Sequence, residues 1–430
     1  MTHSSLSAES ESGLPRLLTD PRSFAEPEPI HKALAWARSH DPVRKVEAPG
    51  FDPFWLITRH ADILEIERQA DIFRNEDRST VLVPRDMREA IEAKQGSPHL
   101  TRSVVNMDGS EHRTYRMLTQ AWFVAGSLRK LEGRIREIAR QAVDRMLERE
   151  GACDFVDDVA LHYPLHVIME ILGVPEKDEG MMLALTQQLF GARDPEKSRD
   201  AGAMADPATA LTVFDSVLRD FYAYFDQLTE LRRQAPRDDV ASVIANAMIN
   251  GKPISKHEAN SYYVLVATAG HDTTSASTAG GIWSLAEAPD QLRAVKSDPS
   301  LIPGLVEEAI RWTTPVKHFM RTAVSDYTIS GKRIGAGDWV MLSYMSANRD
   351  EAVFDDPDHF RIDRSPNRQL SFGYGPHVCL GQHLARLEMR ILFEELLPRI
   401  RSIELAGPPK WTQSNFISGP KKLPIRFKPA

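Results

Sequence analysis

One long helical pattern, from Ser255 to Pro289, constrains the fold more than any other stretch: SKHEANSYYVLVATAGHDTTSASTAGGIWSLAEAP. It begins with a capping-box pattern, Ser255 followed by Glu258, and it ends at a proline, which cannot continue a helix. A helix of roughly 30 residues is about 45 Å long, which is enough to cross the whole molecule. We therefore expect one helix to span the fold.

The middle of this stretch is unusual for a helix. Gly270 and the polar run from Asp272 to Ser275 are poor helix formers, and apolar residues flank them. A local kink or a widened turn is therefore expected there. Taken alone, the cluster fits a helix contact lined by serine and threonine with one satisfied acid as well as it fits a functional site.

Helical spacing of apolar residues also appears in the stretch from Leu128 to Glu150. The stretch from Phe51 to Gln69 indicates a strand followed by a helix, and the alternating residues from Tyr327 to Tyr344 indicate a β-hairpin around a glycine-bounded turn. The prediction is a mainly α fold with a smaller β-rich portion.

Length and composition set the organisation of the chain. Its 430 residues, 42% of them hydrophobic, can bury a large core and allow up to two or three domains. Residues 1–30 are rich in Ser, Glu and Pro, and we expect them to form a loosely held arm. The polar segment 193–210 is predicted to be a mobile surface loop.

The charge and the cysteine content exclude some classes of protein. A net charge of -7 argues against a nucleic-acid binder with a strongly basic face. Only two cysteines, Cys153 and Cys379, occur, which is unlike a disulfide-dense secreted domain. No signal-peptide pattern and no apolar window of about 18 residues is present. We expect a cytoplasmic protein that does not bind membranes.

The stretch SFGYGPHVCLGQHLARLEM, from Ser371 to Met389, places Cys379 at the start of an apolar-striped helix that ends before Pro398. A thiol there should have a lowered pKa because of the helix dipole and the free backbone N–H groups. Three nearby glycines would permit positive φ angles or the close approach of a flat ligand; they are Gly373, Gly375 and Gly381.

Two other interpretations of Cys379 are open. A lone cysteine is most often a small buried hydrophobe. Alternatively, His377, Cys379 and His383 could bind zinc, but a structural zinc site needs four ligands, and no CxxC pair completes the set.

The segment FGYGPHVCLG, from Phe372 to Gly381, resembles the haem-binding signature of the cytochrome P-450 family, the haem-thiolate monooxygenases. The resemblance implies the cytochrome P-450 fold, with residues 31–430 forming a single catalytic domain. It also implies haem b as cofactor, with Cys379 as the axial iron ligand and with Phe372 and Gly373 beside the cofactor. A thiolate ligand favours O–O cleavage.

Two further segments extend the resemblance. AGHDTT is similar to the oxygen-binding helix of the family, which implies a groove at Ala269 and Gly270 and catalytic roles for Asp272 in proton relay and for Thr273 in holding oxygen. His271 has no counterpart in the motif. The pair Glu308 and Arg311 resembles the structural ExxR pair of the family, for which His359 and Arg364 compete as the third partner. Donors for the haem propionates are implied at His112, Arg116, Arg321 and His377.

The family resemblance implies a monooxygenase that inserts one oxygen atom from O2 into a small hydrophobic substrate, a monoterpenoid or an aromatic hydrocarbon. Electrons would come from NAD(P)H through a ferredoxin reductase and a [2Fe-2S] ferredoxin, which could dock on Arg113, Arg116, Arg386 and Arg390. Substrate-pocket candidates are Leu265, Thr268, Ala269, Val316 and Phe319, with residues 80–101 and the loop near Asp194 at the entrance. The expected state is a monomer. The alternatives are a non-catalytic haem-based binding or sensing protein, a peroxide-driven peroxygenase, and an isomerase on the same fold.

Overall fold

The computed structural model describes residues 13–200 and 207–430. Helices dominate it. In the first half of the chain they are α1 (residues 13–19), α2 (Pro27–His40), α3 (His60–Arg68), α4 (Arg85–Gln95), α5 (Gly109–Phe123), α6 (Ala125–Leu147), α7 (His162–Leu172) and α8 (Glu179–Phe190). In the second half they are α9 (Pro207–Gln234), α10 (Val240–Ala245), α11 (Lys256–Ala269), α12 (Asp272–Glu287), α13 (Pro289–Ser297), α14 (Ile302–Thr313), α15 (Tyr344–Ala347) and α16 (Gln382–Leu396).

The strands form a smaller part of the fold. They are β1 (Val43–Val46), β2 (Phe54–Ile57), β3 (Phe73–Arg74), β4 (Ala152–Asp154), β5 (Met248–Ile249), β6 (Lys252–Pro253), β7 (His318–Ala323), β8 (Tyr327–Ile329), β9 (Lys332–Ile334), β10 (Trp339–Ser343), β11 (Ile400–Leu405), β12 (Lys410–Trp411), β13 (Pro420–Lys422) and β14 (Pro424–Pro429). The predicted mainly α fold with a smaller β portion is confirmed.

The largest sheet joins the N-terminal strands to a later segment of the chain. Its order is β1-β2-β10-β7-β3, in which β2 and β10 run parallel and the other neighbours run antiparallel. The predicted hairpin is the pair β8 and β9, whose turn residues Ser330 and Gly331 both have positive φ. A second sheet has the order β11-β14-β4.

The predicted spanning helix consists of two helices, α11 and α12. Ser255 and Glu258 form the expected capping box, in which the Ser255 hydroxyl accepts the Glu258 N–H at 3.2 Å and the Glu258 carboxylate accepts the Ser255 N–H at 3.2 Å. The helical ladder is interrupted at Gly270 and His271, where the His271 N–H meets the Thr268 carbonyl only at 3.5 Å. The expected kink is confirmed.

The loosely held arm was predicted for residues 1–30, of which residues 1–12 lie outside the described part of the chain. From residue 13 onward the prediction is wrong. Leu14, Leu18, Phe24 and Ile30 are buried in a hydrophobic cluster that includes side chains of β2 and β10. The prediction rested on the Ser, Glu and Pro content, but the segment also contains apolar residues at helical spacing. Burial of these apolar side chains holds the segment against the rest of the fold.

The mobile loop was predicted for residues 193–210, of which residues 201–206 are outside the described chain. Its beginning is fixed instead, because the buried Asp194 carboxylate pairs with Lys421 at 2.9 Å and accepts the Gln413 N–H at 2.8 Å. Its end, from Pro207, already belongs to α9. None of the described helices combines the length and the apolar character needed to cross a membrane.

Candidate active site

A cavity lies between the kink of the long helix and the loop that carries Cys379. Most of the residues predicted for the site line it: His112, Arg116, Leu265, Ala269, Gly270, Thr273, Val316, Phe319, Arg321, Phe372, Gly373, His377 and Cys379. Several unpredicted residues complete the lining, among them Asn75, Val104, Phe123, Ile168 and Tyr344. Residues far apart in sequence therefore form one site.

Cys379 lies three residues before α16, and its backbone N–H donates to the Phe372 carbonyl at 2.8 Å. Its side chain is open to the cavity. The prediction of a lowered thiol pKa is wrong for the protein alone. Desolvation raises the pKa of Cys379, and the N–H groups of Gly381 and Gln382 with the nearby arginines only partly oppose this. A coordinated metal ion would deprotonate the thiol outright.

The other cysteine does not compete for this role. Cys153 lies on β4 outside the cavity lining, and burial raises the pKa of its thiol to about 12. His383 lines a separate groove between α6, α14 and α16. Within residues 13–200 and 207–430, no group of three or more His, Cys, Asp or Glu is arranged to hold a metal ion. The zinc interpretation therefore has no geometric support.

The glycines of the cysteine loop have different roles. Gly373 and Gly375 have φ of +66° and +69°, and a Cβ on Gly375 would collide with the Glu67 carbonyl oxygen. These two permit the turn and its close packing on α3. Gly381 has an ordinary φ, and a Cβ there would meet open space beside the cavity.

Cationic and donor side chains gather at one end of the cavity. The Arg116 guanidinium donates to the Val378 carbonyl at 2.8 Å, which ties α5 to the cysteine loop. The His112 and His377 rings lie 4.2 Å apart between centroids. Burial lowers the pKa of both histidines, that of His112 to about 4, so the rings are neutral hydrogen-bonding groups at neutral pH. Such a set suits a ligand with carboxylates.

Asn75 belongs to this donor end and was not predicted from the sequence. Its side-chain amide contacts His377 Nε2 at 2.7 Å, and its N–H donates to the Asp108 carboxylate at 2.7 Å. The other amide atom, Oδ1, is buried without a partner among the described residues. The sequence offers no signal for Asn75, because its partners lie 33 and 302 positions away.

The kink of the long helix shapes the opposite wall. The Thr273 hydroxyl donates to the Ala269 carbonyl at 2.9 Å, so its oxygen presents acceptor lone pairs to the cavity. A Cβ on Gly270 would lie 2.8 Å from Ile168, so glycine is needed there for α7 to pack. Thr268 was predicted to line the cavity, but it is outside the cavity lining. It is buried, and its hydroxyl donates to the Val264 carbonyl at 2.7 Å.

Asp272 is adjacent to Thr273 but points elsewhere. It is outside the cavity lining, is 9% exposed, and accepts a hydrogen bond from Gln187 of α8. His271 Nδ1 lies 3.6 Å from its carboxylate. Burial would raise the pKa of Asp272, but His271, Lys197 and Gln187 together hold it below its ordinary value. Gln187 and Lys197 were not predicted from the sequence, because their position beside Asp272 depends on the tertiary fold.

Glu308 and Arg311 lie outside the cavity and form a buried ion pair. Both side chains are 0% exposed, and the two Arg311–Glu308 hydrogen bonds are 2.8 and 2.7 Å long. Arg364 is the third partner, since its Nε donates to Glu308 at 3.1 Å. The His359 ring is exposed and pairs with Asp356 at 2.6 Å, and only its backbone carbonyl accepts from the arginines.

The predicted basic docking surface is largely neutralised. Arg386 pairs with Glu307, and Arg390 pairs with Glu132 and Glu394. Arg116 faces the cavity instead of the outer surface. Of the four predicted arginines, Arg113 is exposed and makes no ion pair within the described residues.

The family model for cytochrome P-450 matches residues 77–299 and 300–426 of the chain. Among curated proteins, cytochrome P-450-terp of a Pseudomonas species is 48% identical over 411 residues, covering 95% of this chain and 96% of the relative. A steroid C26-monooxygenase of Mycolicibacterium smegmatis is 32% identical over 404 residues, covering 92% of this chain and 90% of that protein.

Solved structures agree with these matches. The crystal structure of CYP108D1 from Novosphingobium aromaticivorans superimposes with a TM-score of 0.88 at 46% identity, covering 97% of this chain and 98% of that one. A Mycobacterium marinum cytochrome P-450 in complex with pseudoionone superimposes with a TM-score of 0.83 at 30% identity, covering 92% of this chain and 94% of that one. The chain belongs to the cytochrome P-450 family, as the motifs predicted, and is an oxygen-incorporating oxidoreductase of a family that uses haem b.

Replacing the acid of the buried network should destabilise the fold strongly. In Glu308→Gln, two buried guanidinium groups lose their shared counter-charge, so the free energy of unfolding should fall by about 3–5 kcal/mol. Urea denaturation followed by circular dichroism measures it. The neighbouring variant Glu307→Gln removes only a half-exposed pair with Arg386 and should cost about 0–1 kcal/mol. Equal losses in the two variants would show that the network does not constrain the fold.

Proposed function

We propose that this enzyme inserts one oxygen atom from O2 into a small hydrophobic substrate, a monoterpenoid or an aromatic hydrocarbon. Its electrons come from NAD(P)H through a ferredoxin reductase and a [2Fe-2S] ferredoxin, and the chain from residue 13 onward acts as one monomeric catalytic domain. The observation that carries the proposal is that Cys379, the donor cluster and the helix kink face one another across a single cavity.

The residues around the cavity fit haem b. Cys379 would bind the iron, Phe372 and Gly373 would lie beside the porphyrin, and the propionates would meet His112, Arg116, Arg321 and His377. The guanidinium groups of Arg116 and Arg321 at that end would supply charge-assisted hydrogen bonds to these carboxylates. When bound, haem would supply oxygen activation and transfer, which a cysteine thiolate favours.

The apolar part of the cavity lining indicates the class of substrate. It includes the side chains of Val104, Phe123, Ile168, Leu265, Val316 and Phe319. Burying apolar ligand surface against these side chains is favourable. The 48% identity to cytochrome P-450-terp supports a terpenoid substrate.

Thr273 and Asp272 have different roles in the proposed proton transfer. Thr273 presents hydroxyl lone pairs to the cavity, so it can hold a water molecule that donates to it. Asp272 is kept ionised by Lys197, His271 and Gln187, so it must take up a proton before it can deliver one. Because Asp272 faces α8, we infer that protons enter from the α8 side and pass to the cavity by side-chain rotation or by water.

Replacing Cys379 tests the ligand assignment. Cys379→Ser should abolish the thiolate Soret band of the reduced carbon-monoxide complex, since serine donates less electron density to iron, and should leave the fold largely intact. Absorption spectra and far-ultraviolet circular dichroism measure both effects. Cys153→Ser is the matched control and should keep the band, because Cys153 lies outside the cavity. The assignment is wrong if the control loses the band and Cys379→Ser keeps it.

Replacing the acid–alcohol pair separates oxygen activation from oxygen binding. Thr273→Ala should keep NADH consumption substantial but divert electrons to hydrogen peroxide, because no hydroxyl holds the proton-donating water. Asp272→Asn should slow NADH consumption about tenfold or more, because it removes a general acid. The measurement is product and peroxide formed per NADH consumed at saturating substrate.

Thr278→Ala provides the control for the threonine variant. Its hydroxyl makes the same kind of helix-internal bond, to the Thr274 carbonyl at 2.7 Å, but lies outside the cavity lining. It should stay coupled. The pair would have only a structural role if Thr273→Ala still converted all consumed NADH into product and Asp272→Asn consumed NADH at the parental rate.

The source of electrons distinguishes the proposal from a peroxygenase and from a sensing protein. Product should form with NADH, reductase and ferredoxin, and not with hydrogen peroxide alone. Arg113→Glu should slow the first electron transfer at low ionic strength and much less at high salt, since exposed charges act on encounter rate. Turnover with peroxide only would favour the peroxygenase, and no turnover in either assay would favour the sensing protein.

A further inference from the structure

Glu67 is a buried acid of α3 that lies beside the donor end of the cavity. Its side chain is 1% exposed, and its Oε1 accepts the Tyr344 hydroxyl at 2.6 Å. The Arg321 guanidinium reaches the same oxygen at 3.4 Å, which is a long contact. The second oxygen, Oε2, is buried without a hydrogen-bond partner among the described residues. The carboxyl group is therefore incompletely compensated.

Arg321 faces both this acid and the cavity. Of the five N–H groups that a guanidinium carries, one donates to the Met320 carbonyl at 2.9 Å and one is directed to Glu67. A further interaction joins the guanidinium to Tyr344. Because Arg321 also lines the cavity, the N–H groups that are left can meet a ligand carboxylate there. One cation is thus positioned between a protein carboxyl group and the place of a ligand carboxylate.

The cysteine loop fixes Glu67 in this position. A Cβ on Gly373 would lie 3.2 Å from Glu67 Oε1, and the backbone of Gly375 closes on the Glu67 carbonyl. The acid cannot swing toward solvent without displacing the loop that carries Cys379. Its charge therefore acts at short range on Arg321.

The neighbours of Glu67 leave it as the group that titrates near neutral pH. Burial raises the pKa of Glu67 to about 7, although Arg321, the Tyr344 hydroxyl and the Tyr374 backbone oppose the rise. The pKa of Tyr344 lies well above its ordinary value because of burial, so Tyr344 stays protonated. Burial lowers the pKa of His377, on the loop packed against α3, so His377 stays neutral.

We propose that Glu67 is a positioning residue that competes with the haem propionates for Arg321, so that its charge sets how tightly haem is held and how readily the iron is reduced. The inference rests on the proposed haem site. The direction of the pH effect follows from the charges of Glu67 and Arg321. Below the pKa of Glu67 the acid is neutral and Arg321 is free for the propionate, whereas above it the carboxylate attracts Arg321 and adds negative charge near the iron.

The test uses the purified holoenzyme at about pH 6 and about pH 9, which bracket the pKa of Glu67. The rate of haem transfer to excess apomyoglobin and the midpoint potential from a reductive titration are measured. In the parent enzyme, haem release should be roughly tenfold faster at the higher pH, the effect of one weakened charge-assisted hydrogen bond, and the potential should be lower. Glu67→Gln should remove both pH steps and behave as the parent does at low pH.

Glu65→Gln is the matched control. Glu65 is on the same helix and also accepts a tyrosine hydroxyl, that of Tyr327 at 2.9 Å, but it has no contact with Arg321 among the described residues. This variant should keep both pH steps. Tyr344→Phe is the second variant; it removes the hydrogen bond that stabilises ionised Glu67, so the steps should move to higher pH.

A Glu67→Gln enzyme that retains the parental pH steps would overturn the inference. If that variant does not fold or retain haem, unmoved steps in Tyr344→Phe would overturn it equally. Failure of the proposed haem site would look different, because the parent enzyme would then show no thiolate Soret band at either pH.

Discussion

The buried ion pair between Glu308 and Arg311 is the interaction on which the rest of the site depends. Removing two charges from water is costly, and here the cost is offset because nearly every donor and acceptor finds a partner. Arg311 also donates to the Asn348 carbonyl at 2.7 Å, and the Asn348 side chain accepts the Leu370 N–H at 2.7 Å. These bonds connect α14 to the loop that leads to Cys379. The ion pair is therefore connected through Asn348 to the loop that carries the thiol.

Asp272 and Thr273 are adjacent at the start of α12, but their side chains face different directions. In a regular helix, consecutive side chains already differ by about 100°, so Asp272 and Thr273 cannot share one face. Thr273 accordingly lines the cavity, while Asp272 is buried against α8. Gly270 makes the arrangement feasible, because any side chain there would meet Ile168. Proton transfer between the two residues therefore requires motion or water.

Features carried by local sequence were predictable, whereas those that depend on distant partners were not. The capping box at Ser255, the kink at Gly270 and the helix after Cys379 follow from neighbouring residues, and the structure has all three. The choice between His359 and Arg364 could not be made, because both lie close to the network and only tertiary packing turns the His359 ring outward. The Cys379 pKa was mispredicted, since desolvation outweighs the helix-terminal N–H groups that sequence reveals. Glu67 and Lys197 gave no signal at all.

Asp272 and Glu67 are buried carboxyl groups near the cavity, and their surroundings shift their pKa values in opposite directions. Asp272 has Lys197, His271 and Gln187 around it, and these outweigh the cost of burying its charge. The neighbours of Glu67 are the distant Arg321 guanidinium, the Tyr344 hydroxyl and the Tyr374 backbone, and together they do not outweigh the cost of burying its charge. Environments that separate the pKa values of two acids allow them different roles at one pH. Asp272 is thus ionised at neutral pH, whereas Glu67 changes its charge in that range and can alter the electrostatic field at the donor end of the cavity.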